Sequence, residues 1–246
     1  MKVVVLVPFD SMGCSYREQN WDFVRSWWTL HFDYPLYVGA SDRTPFSPAQ
    51  ARNNAAHKAG DWDVAIFADA DTLVAPEAVR EAVRIAADTD EMVLASTAHT
   101  YMDRFSTERY LETGMMFPVP TDWPDTVPER FKFDPRSIYR APCSGVLAVS
   151  RTLWEQTGGY VDSLGGQDSH EDLIFWQQAV IFGAGVARVP GMQIHLWHPT
   201  ADRIEGDNHR HYHRLVAMTD QPDARERAAE YLADLGHRVG VCTSSS

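Results

Sequence analysis

The stretch Asp63-Val64-Ala65-Ile66-Phe67-Ala68-Asp69-Ala70-Asp71 decides the fold. Five consecutive apolar residues, bounded by polar ones, read as a strand buried on both faces. The strand stops on two carboxylates one residue apart. Acids so placed can offer oxygens to one hard cation such as Mg²⁺ or Mn²⁺. Burying them together without a cation is costly. Taken alone, the same pair also suits a solvated acidic turn leading into the next helix.

Working outward, the pattern on either side repeats. Upstream, Ser47-Pro48-Ala49-Gln50 starts a helix, with Ser47 as cap, Pro48 in the first turn and Gln50 at capping-box spacing. That helix is predicted to run to about His57–Ala59 and to stop at Gly60. Lys2–Pro8 is a second buried strand, and Pro35–Gly39 a short third. Between them, Trp21, Val24, Trp27, Trp28 and Phe32 recur at helical spacing over Asn20–His31. Downstream, Pro76 opens a helix with Ala78, Val79, Ala82, Val83 and Ala86 on one face, followed by a strand over Met92–Ser96. This alternation predicts an α/β fold with a mainly parallel sheet and helices on both faces. Ligands of such sheets bind at the carboxyl ends of the strands, where Pro8, Asp42 and Asp69 should converge.

The second half is less regular. Residues 99–142 are predicted to form a long loop and hairpin region that shapes a substrate cleft. Ser144–Val149 is a strand, and Ser150 caps a short helix ending at Gly158-Gly159. Gly165-Gly166 precedes Ser169, the expected cap of a helix over His170–Phe182. Short strands at Val186–Val189 and Gln193–Trp197 and helices at His209–Met218 and Asp223–Leu235 complete the chain. The organisation expected is one domain over residues 1–240, with a disordered tail at 241–246. Within it, residues 1–98, 99–200 and 201–240 are expected as successive parts, the last made of C-terminal helices.

Composition narrows the function classes. The 246 residues carry 22 Lys+Arg against 34 Asp+Glu, a formal charge of −12, which argues against nonspecific nucleic-acid binding. The longest apolar opening, Val3–Val7, is too short to span a membrane or to form a signal peptide. Cys14, Cys143 and Cys242 are too widely spaced for a disulfide framework or a zinc site, so a reducing cytoplasm is expected. The eight tryptophans read first as core.

Four further groups can carry chemistry. Arg52, in Ala51-Arg52-Asn53-Asn54, reads by itself as a surface arginine. In Ser169-His170-Glu171-Asp172, Asp172 stands at capping-box spacing from Ser169. Alternatively, an acid there lies on a cleft floor and orients or deprotonates an acceptor hydroxyl. In Ile194-His195-Leu196-Trp197-His198-Pro199, His195 and Trp197 share a strand face and His198 sits at its exit. A neutral imidazole there can complete a metal site, or simply be a satisfied core or surface histidine. His209-Arg210-His211-Tyr212-His213-Arg214 reads as a solvated helix face or a phosphate-facing patch. Its i,i+4 His pair is half of a zinc site, with no third ligand at fitting spacing.

In order and spacing these pieces resemble the GT-A glycosyltransferases, particularly the family-2-like group and its relatives with a galactosyltransferase-type C-terminal half. The resemblance runs through Val3–Pro8, Ala51-Arg52-Asn53, Asp69-Ala70-Asp71, Ser144–Val149 with Trp154–Tyr160, Gly165–Phe175 and His195–Pro199, about residues 1–200. It implies a nucleoside-diphosphate sugar donor, UDP-linked in first preference, and Mn²⁺ or Mg²⁺. It implies Pro8, Phe9 and Asp42 around base and ribose, Arg52 near base or phosphate, Asp69 facing the ribose or metal, and Ala70 in the donor site, with residues 1–98 as the nucleotide-sugar half, 99–200 as the acceptor half and 201–240 as a lid with helices. Asp71 and His198 would be the metal ligands, with His195 as second choice. Gly145, Gly166 and His170 would lie on the acceptor side. Glu171 and Asp172 would be the acceptor-side acids, with Asp172 the general base of an inverting reaction. Arg203 or Arg210, from a closing loop over residues 200–209, would offset charge on the leaving diphosphate. In place of the Trp-Gly pair of many relatives, this chain has Gln167-Asp168-Ser169-His170. The acceptor implied is a glycan, a protein, a lipid or a modified nucleobase. A small transferase without an anchor suits a bacterial or bacteriophage cytoplasm. Two other classes compete: a metal-dependent nucleotide-sugar hydrolase or nucleotidyltransferase, and a non-catalytic nucleotide-sugar or glycan-binding module.

Overall fold

Val3–Pro8 (β1) and Val64–Ala68 (β3) are buried at every position, as unbroken apolar runs between two layers must be. Their side chains alternate between faces. Val3, Val5, Val7, Val64 and Ile66 join one core, while Val4, Leu6, Ala65 and Phe67 join another. The computed structural model describes residues 1–114, 143–164, 170–199 and 207–240.

Around these strands run α1 (Ser15–His31), β2 (Leu36–Gly39), α2 (Pro48–Ala59), β4 (Thr72–Leu73), α3 (Pro76–Thr89), β5 (Met92–Leu94), β6 (Ala98–Tyr101) and α4 (Arg104–Thr113). Then follow β7 (Val146–Ser150), α5 (Arg151–Thr157), α6 (Glu171–Phe182), β8 (Val186–Arg188), β9 (Met192–His195), α7 (Asn208–Thr219) and α8 (Ala224–Asp234). The main sheet has the order β2-β1-β3-β7-β5-β8. β7 pairs antiparallel with both β3 and β5, and the other pairings are parallel, so the expected mainly parallel α/β sheet is present. α1 and α3 cover one face, and α2, α5 and α6 the other. A third apolar cluster, with Ile174, Phe182, Tyr212, Leu215 and Leu232 at its centre, joins α6 to α7 and α8.

Several expectations are corrected. α1 begins at Ser15 rather than Asn20, because the polar turn before Trp21 shows no apolar period. The segment expected as loop and hairpin from residue 99 instead opens with β6 and α4. Asp103 caps α4 by accepting from the Ser106 amide at 2.7 Å, and Gly114 ends it in the left-handed region. The first residue of α6 is Glu171, so His170, not Ser169, holds its cap position, and its side chain makes no cap bond. β9 ends at His195 rather than running to Trp197. Gln50 forms half of a capping box. Its amide donates to Ser47 Oγ at 3.3 Å, but its side chain turns away to accept from Ser41 Oγ at 2.7 Å and the Asp42 amide at 3.1 Å. Ser169, Gly166, Arg203, the 200–206 part of the proposed lid, residues 115–142, Cys242 and the 241–246 tail lie outside the described residues. Among those described, no helix is long and apolar enough to cross a membrane, and Cys14 and Cys143 are free thiols.

One close approach matters for the site. A Cβ on Gly39 would overlap the Ala51 carbonyl oxygen, so the end of β2 rests directly on the first turns of α2. That contact seats α2, and with it Arg52, against the sheet.

Candidate functional site

A cavity of about 310 Å³ opens at the carboxyl ends of β1 and β3. Its lining includes Pro8, Phe9 and Phe46 on an apolar side, and Asp69, Asp71, Glu171 and Asp172 on an acidic one.

Arg52 is the centre of the acidic side. It projects from α2 and is 4% exposed, so it is not the surface arginine that helical spacing alone allowed. Its guanidinium reaches Asp69 Oδ1 at 2.9 Å, Asp172 Oδ1 at 3.0 Å and Glu171 Oε1 at 3.3 Å. It also lies 5.0 Å over the Tyr160 ring. Burial works against the charged guanidinium, but the surrounding carboxylates hold its pKa well above the usual arginine range. Three acids on one cation leave a surplus of negative charge. Burial pushes the carboxyls of Asp69 and Asp172 up, Arg52 opposes this, and neighbouring acids add to the rise; both end above the ordinary aspartate value. Asp172 is thus tied to Arg52; the capping-box bond to Ser169 falls outside the described residues.

Asn53, next to Arg52, clamps the facing segment. Its Nδ2 donates to the Tyr160 carbonyl at 2.8 Å, and its Oδ1 accepts from the Tyr160 amide at 3.0 Å. Sequence reading quoted Asn53 without giving it a role, because only the fold shows what it faces.

The second centre forms around Asp71. Its carboxylate lies 3.1 Å from His198 Nε2 and 3.5 Å from His195 Nε2. Among the described residues, these three are the one group whose ligand atoms all fall within 4.8 Å of one another. The small sheet β4-β9-β6 brings them together. Thr72 pairs with His195 and Leu73 with Ile194, while the Leu196 amide donates to the Asp71 carbonyl at 2.8 Å. β4 is only two residues long, which is why periodicity did not reveal it. Burial alone would raise the Asp71 pKa, but His195, His198 and Arg17 hold it well below the usual carboxylate range. Burial lowers His198, yet its bond to Asp71 leaves its pKa raised overall. One carboxylate oxygen and two imidazole nitrogens make a donor set suited to a divalent transition ion.

Behind His195 stands His99, buried and stacked at 6.0 Å between ring centroids. Gln193 Nε2 meets His99 Nδ1 at 2.5 Å and donates to the Ser144 carbonyl at 3.1 Å. Gly145 lies in the left-handed region (φ +103°), where a Cβ would overlap the Gln193 side chain. Its carbonyl accepts from the Asp69 amide at 2.8 Å. Gly145 therefore sits under the Asp69 turn.

Other expected residues fall as follows. Pro8, Phe9 and Ala70 line the cavity. Asp42 does not; it is exposed, and its amide is held by Gln50. His170 lies at the start of α6, with its ring 5.0 Å from that of His209. Arg210 is exposed and paired with Asp207 at 2.7 Å. Sequence reading missed Arg17 and Phe46, both in the lining. Arg17 enters no ion pair among the described residues. It reaches the site because α1 starts early, a boundary that the sequence pattern left hidden.

No family model matches the chain, and no curated protein matches it. Solved structures do. A Staphylococcus aureus TarS structure, residues 1–349 with UDP-GlcNAc, matches with a TM-score of 0.52 and 13% identity, over 96% of this chain and 71% of that one. A longer S. aureus TarS structure matches with a TM-score of 0.51 and 14% identity, over 96% of this chain and 43% of that one. The likeness establishes the GT-A fold.

Proposed function

We propose that this chain is a glycosyltransferase that moves a sugar from a nucleoside-diphosphate donor to an acceptor hydroxyl. The observation that carries the reading is the meeting of two centres in one cavity of a GT-A fold: Asp71 with His195 and His198, and Arg52 with Asp69, Glu171 and Asp172. A binding module has little use for both.

The residues around Asp71 fit a divalent cation, since three ligand atoms converge there from the Asp-x-Asp turn and the β9 exit. Two nitrogens in the set favour Mn²⁺ over Mg²⁺, which prefers oxygen throughout. Asp71, His195 and His198 would hold the ion, and when bound it supplies positive charge beside the donor diphosphate. Arg17, in the cavity lining and in no ion pair among the described residues, is a cation available to the same phosphates. Phe9, Pro8 and Phe46 offer the apolar surface that a nucleobase needs. Because the matching TarS structure holds UDP-GlcNAc, a uridine donor is the first to test.

Asp172 serves as general base in this reading. Its raised pKa makes it a better proton acceptor than an ordinary aspartate. The acceptor oxygen attacks the anomeric carbon, its proton passes to Asp172, and the bond between that carbon and the diphosphate oxygen breaks. Arg52 opposes the rise in the pKa of Asp172 and fixes its direction. Glu171 shares the guanidinium and would orient the acceptor.

Thermal shift with a panel of nucleoside diphosphates and their sugars, with and without Mn²⁺, tests the reading. Stabilisation by one base that needs the metal and is lost in Asp71→Ala supports it. No stabilisation by any nucleotide overturns it. Turnover of the donor to free sugar whatever the acceptor would favour the hydrolase instead.

A further inference from the structure

Outside the cavity, three histidines gather on the helical layer. His209 and His213 stand one turn apart on α7, both exposed, with Nε2 atoms 2.8 Å apart. Their ring centroids lie 4.2 Å apart. His170, at the start of α6, brings its ring edge-on to His209 at 5.0 Å. The linear pattern contains only the pair on α7. The third imidazole comes from another element, placed there by the packing of α6 on α7.

Two ring nitrogens that face each other so closely share at most one proton, since two N–H groups would repel. A cation can take the place of that proton. Imidazole nitrogens bound about 2.1 Å from one ion lie about 3.0–3.4 Å apart, close to the spacing present here. The backbone that carries the pair is anchored, because Tyr212 and Leu215 on the inner face of α7 are fully buried. A nitrogen-only donor set selects differently from the carboxylate-bearing set at Asp71. It favours Zn²⁺, Ni²⁺ or Cu²⁺ over Mn²⁺ and Mg²⁺.

We infer that His209 and His213 form a second cation site, for a nitrogen-preferring transition ion such as Zn²⁺, with His170 as its third ligand. His170 lies beside the pair rather than in it, and joining requires its side chain to rotate away from its present partner. Occupancy would tie the start of α6, the turn bearing Glu171 and Asp172, to α7. The binding claim stands independently of the proposed transferase activity.

The test uses the untagged, metal-stripped full chain carrying Asp71→Ala, which silences the first centre. Zn²⁺ is titrated against a chromophoric chelator, and Co²⁺ absorption reports ligand geometry. One Zn²⁺ should bind, and His209→Ala or His213→Ala should weaken it by at least about tenfold. His170→Ala should weaken it less and alter the Co²⁺ spectrum. Both α7 positions are exposed, so circular dichroism should stay unchanged. Affinity indifferent to His209→Ala and His213→Ala, or no Zn²⁺ bound at all, would overturn the site. A Co²⁺ spectrum untouched by His170→Ala would remove the third ligand.

Discussion

Asp71 and His198 face each other at 3.1 Å, carboxylate oxygen to ring nitrogen, although one follows β3 and the other follows β9. The link is mechanical. β4 and β9 pair for two residues, and that short ladder sets the Asp-x-Asp turn against the histidine exit.

Replacing either partner should remove the cation centre without unfolding the chain. Asp71→Ala and His198→Ala should each weaken Mn²⁺ binding by at least about tenfold, read by electron paramagnetic resonance of the bound ion. His195→Ala should do the same. Full affinity in the His195 variant would reduce the ligand set to two.

Arg52→Met should be severely destabilising. It leaves three carboxylates around a buried position with no cation, a change that costs about 3–5 kcal/mol when one buried partner is removed. The deficit should shrink at acid pH, where those carboxyls take up protons. Urea denaturation at pH 7 and pH 5 checks both statements. A variant as stable as the parent at pH 7 would show that Arg52 does not hold the cluster.

Asp172 governs the acid limb of turnover in the proposed mechanism. A base must be ionised to work, and burial with Glu171 and Asp69 nearby lifts its pKa above the ordinary aspartate value despite Arg52. Activity should therefore fall, as pH drops, above the range where a free aspartate would titrate. Asp172→Asn should abolish turnover while leaving nucleotide binding within about threefold. A pH–rate profile and a binding isotherm distinguish this role from donor binding.

Acid should also weaken the fold through His99. Burial, aided by His195, pushes its pKa from the usual 6.5 down to about 3. As pH falls through 6.5 the unfolded chain takes up a proton that the native chain refuses. The contribution of neutral His99 is thus present above pH 6.5 and lost progressively toward about 3. His99→Gln should flatten that part of the stability curve in denaturant titrations. An unchanged slope would mean that His99 is protonated in the native state.

The contact that seats α2 is open to a simple test. Gly39→Ala forces a methyl into the Ala51 carbonyl oxygen. Overpacking of this kind costs about 1–3 kcal/mol, measurable as a lower denaturation midpoint. The same change should loosen Arg52 and raise the KM for the donor more than Gly145-side substitutions do.

How much was legible in the chain varies by element. The alternation over residues 1–96 was readable because buried strands need unbroken apolar runs and amphipathic helices need a 3.6 period. β1, α2, β3 and α3 follow that pattern. Boundaries without an apolar signature were not readable. α1 reaches back to Ser15 through polar residues, and α4 lay hidden in a segment read as loop despite Asp103 and Gly114 at its ends. Asp69, Asp71, Glu171, Asp172, His195 and His198 stood out by residue type and position. Arg17 and Asn53 did not, because nothing local separates a site residue on a helix from a surface one.

The sequence by itself determined which apolar residues form the core strands and helix faces and which side chains are chemically able, since core burial follows apolar periodicity and reactivity follows side-chain type. Tertiary structure decided which of these meet. Arg52 looked like a surface cation until α2 closed over Asp69 and α6. His195 was only the second choice beside His198 until the β4–β9 pairing drew both toward Asp71. The His209 pair lacked a third imidazole until α6 packed on α7. Contacts between distant segments depend on strand order and helix packing, and these arise from the summed burial of the whole chain, which no local pattern encodes.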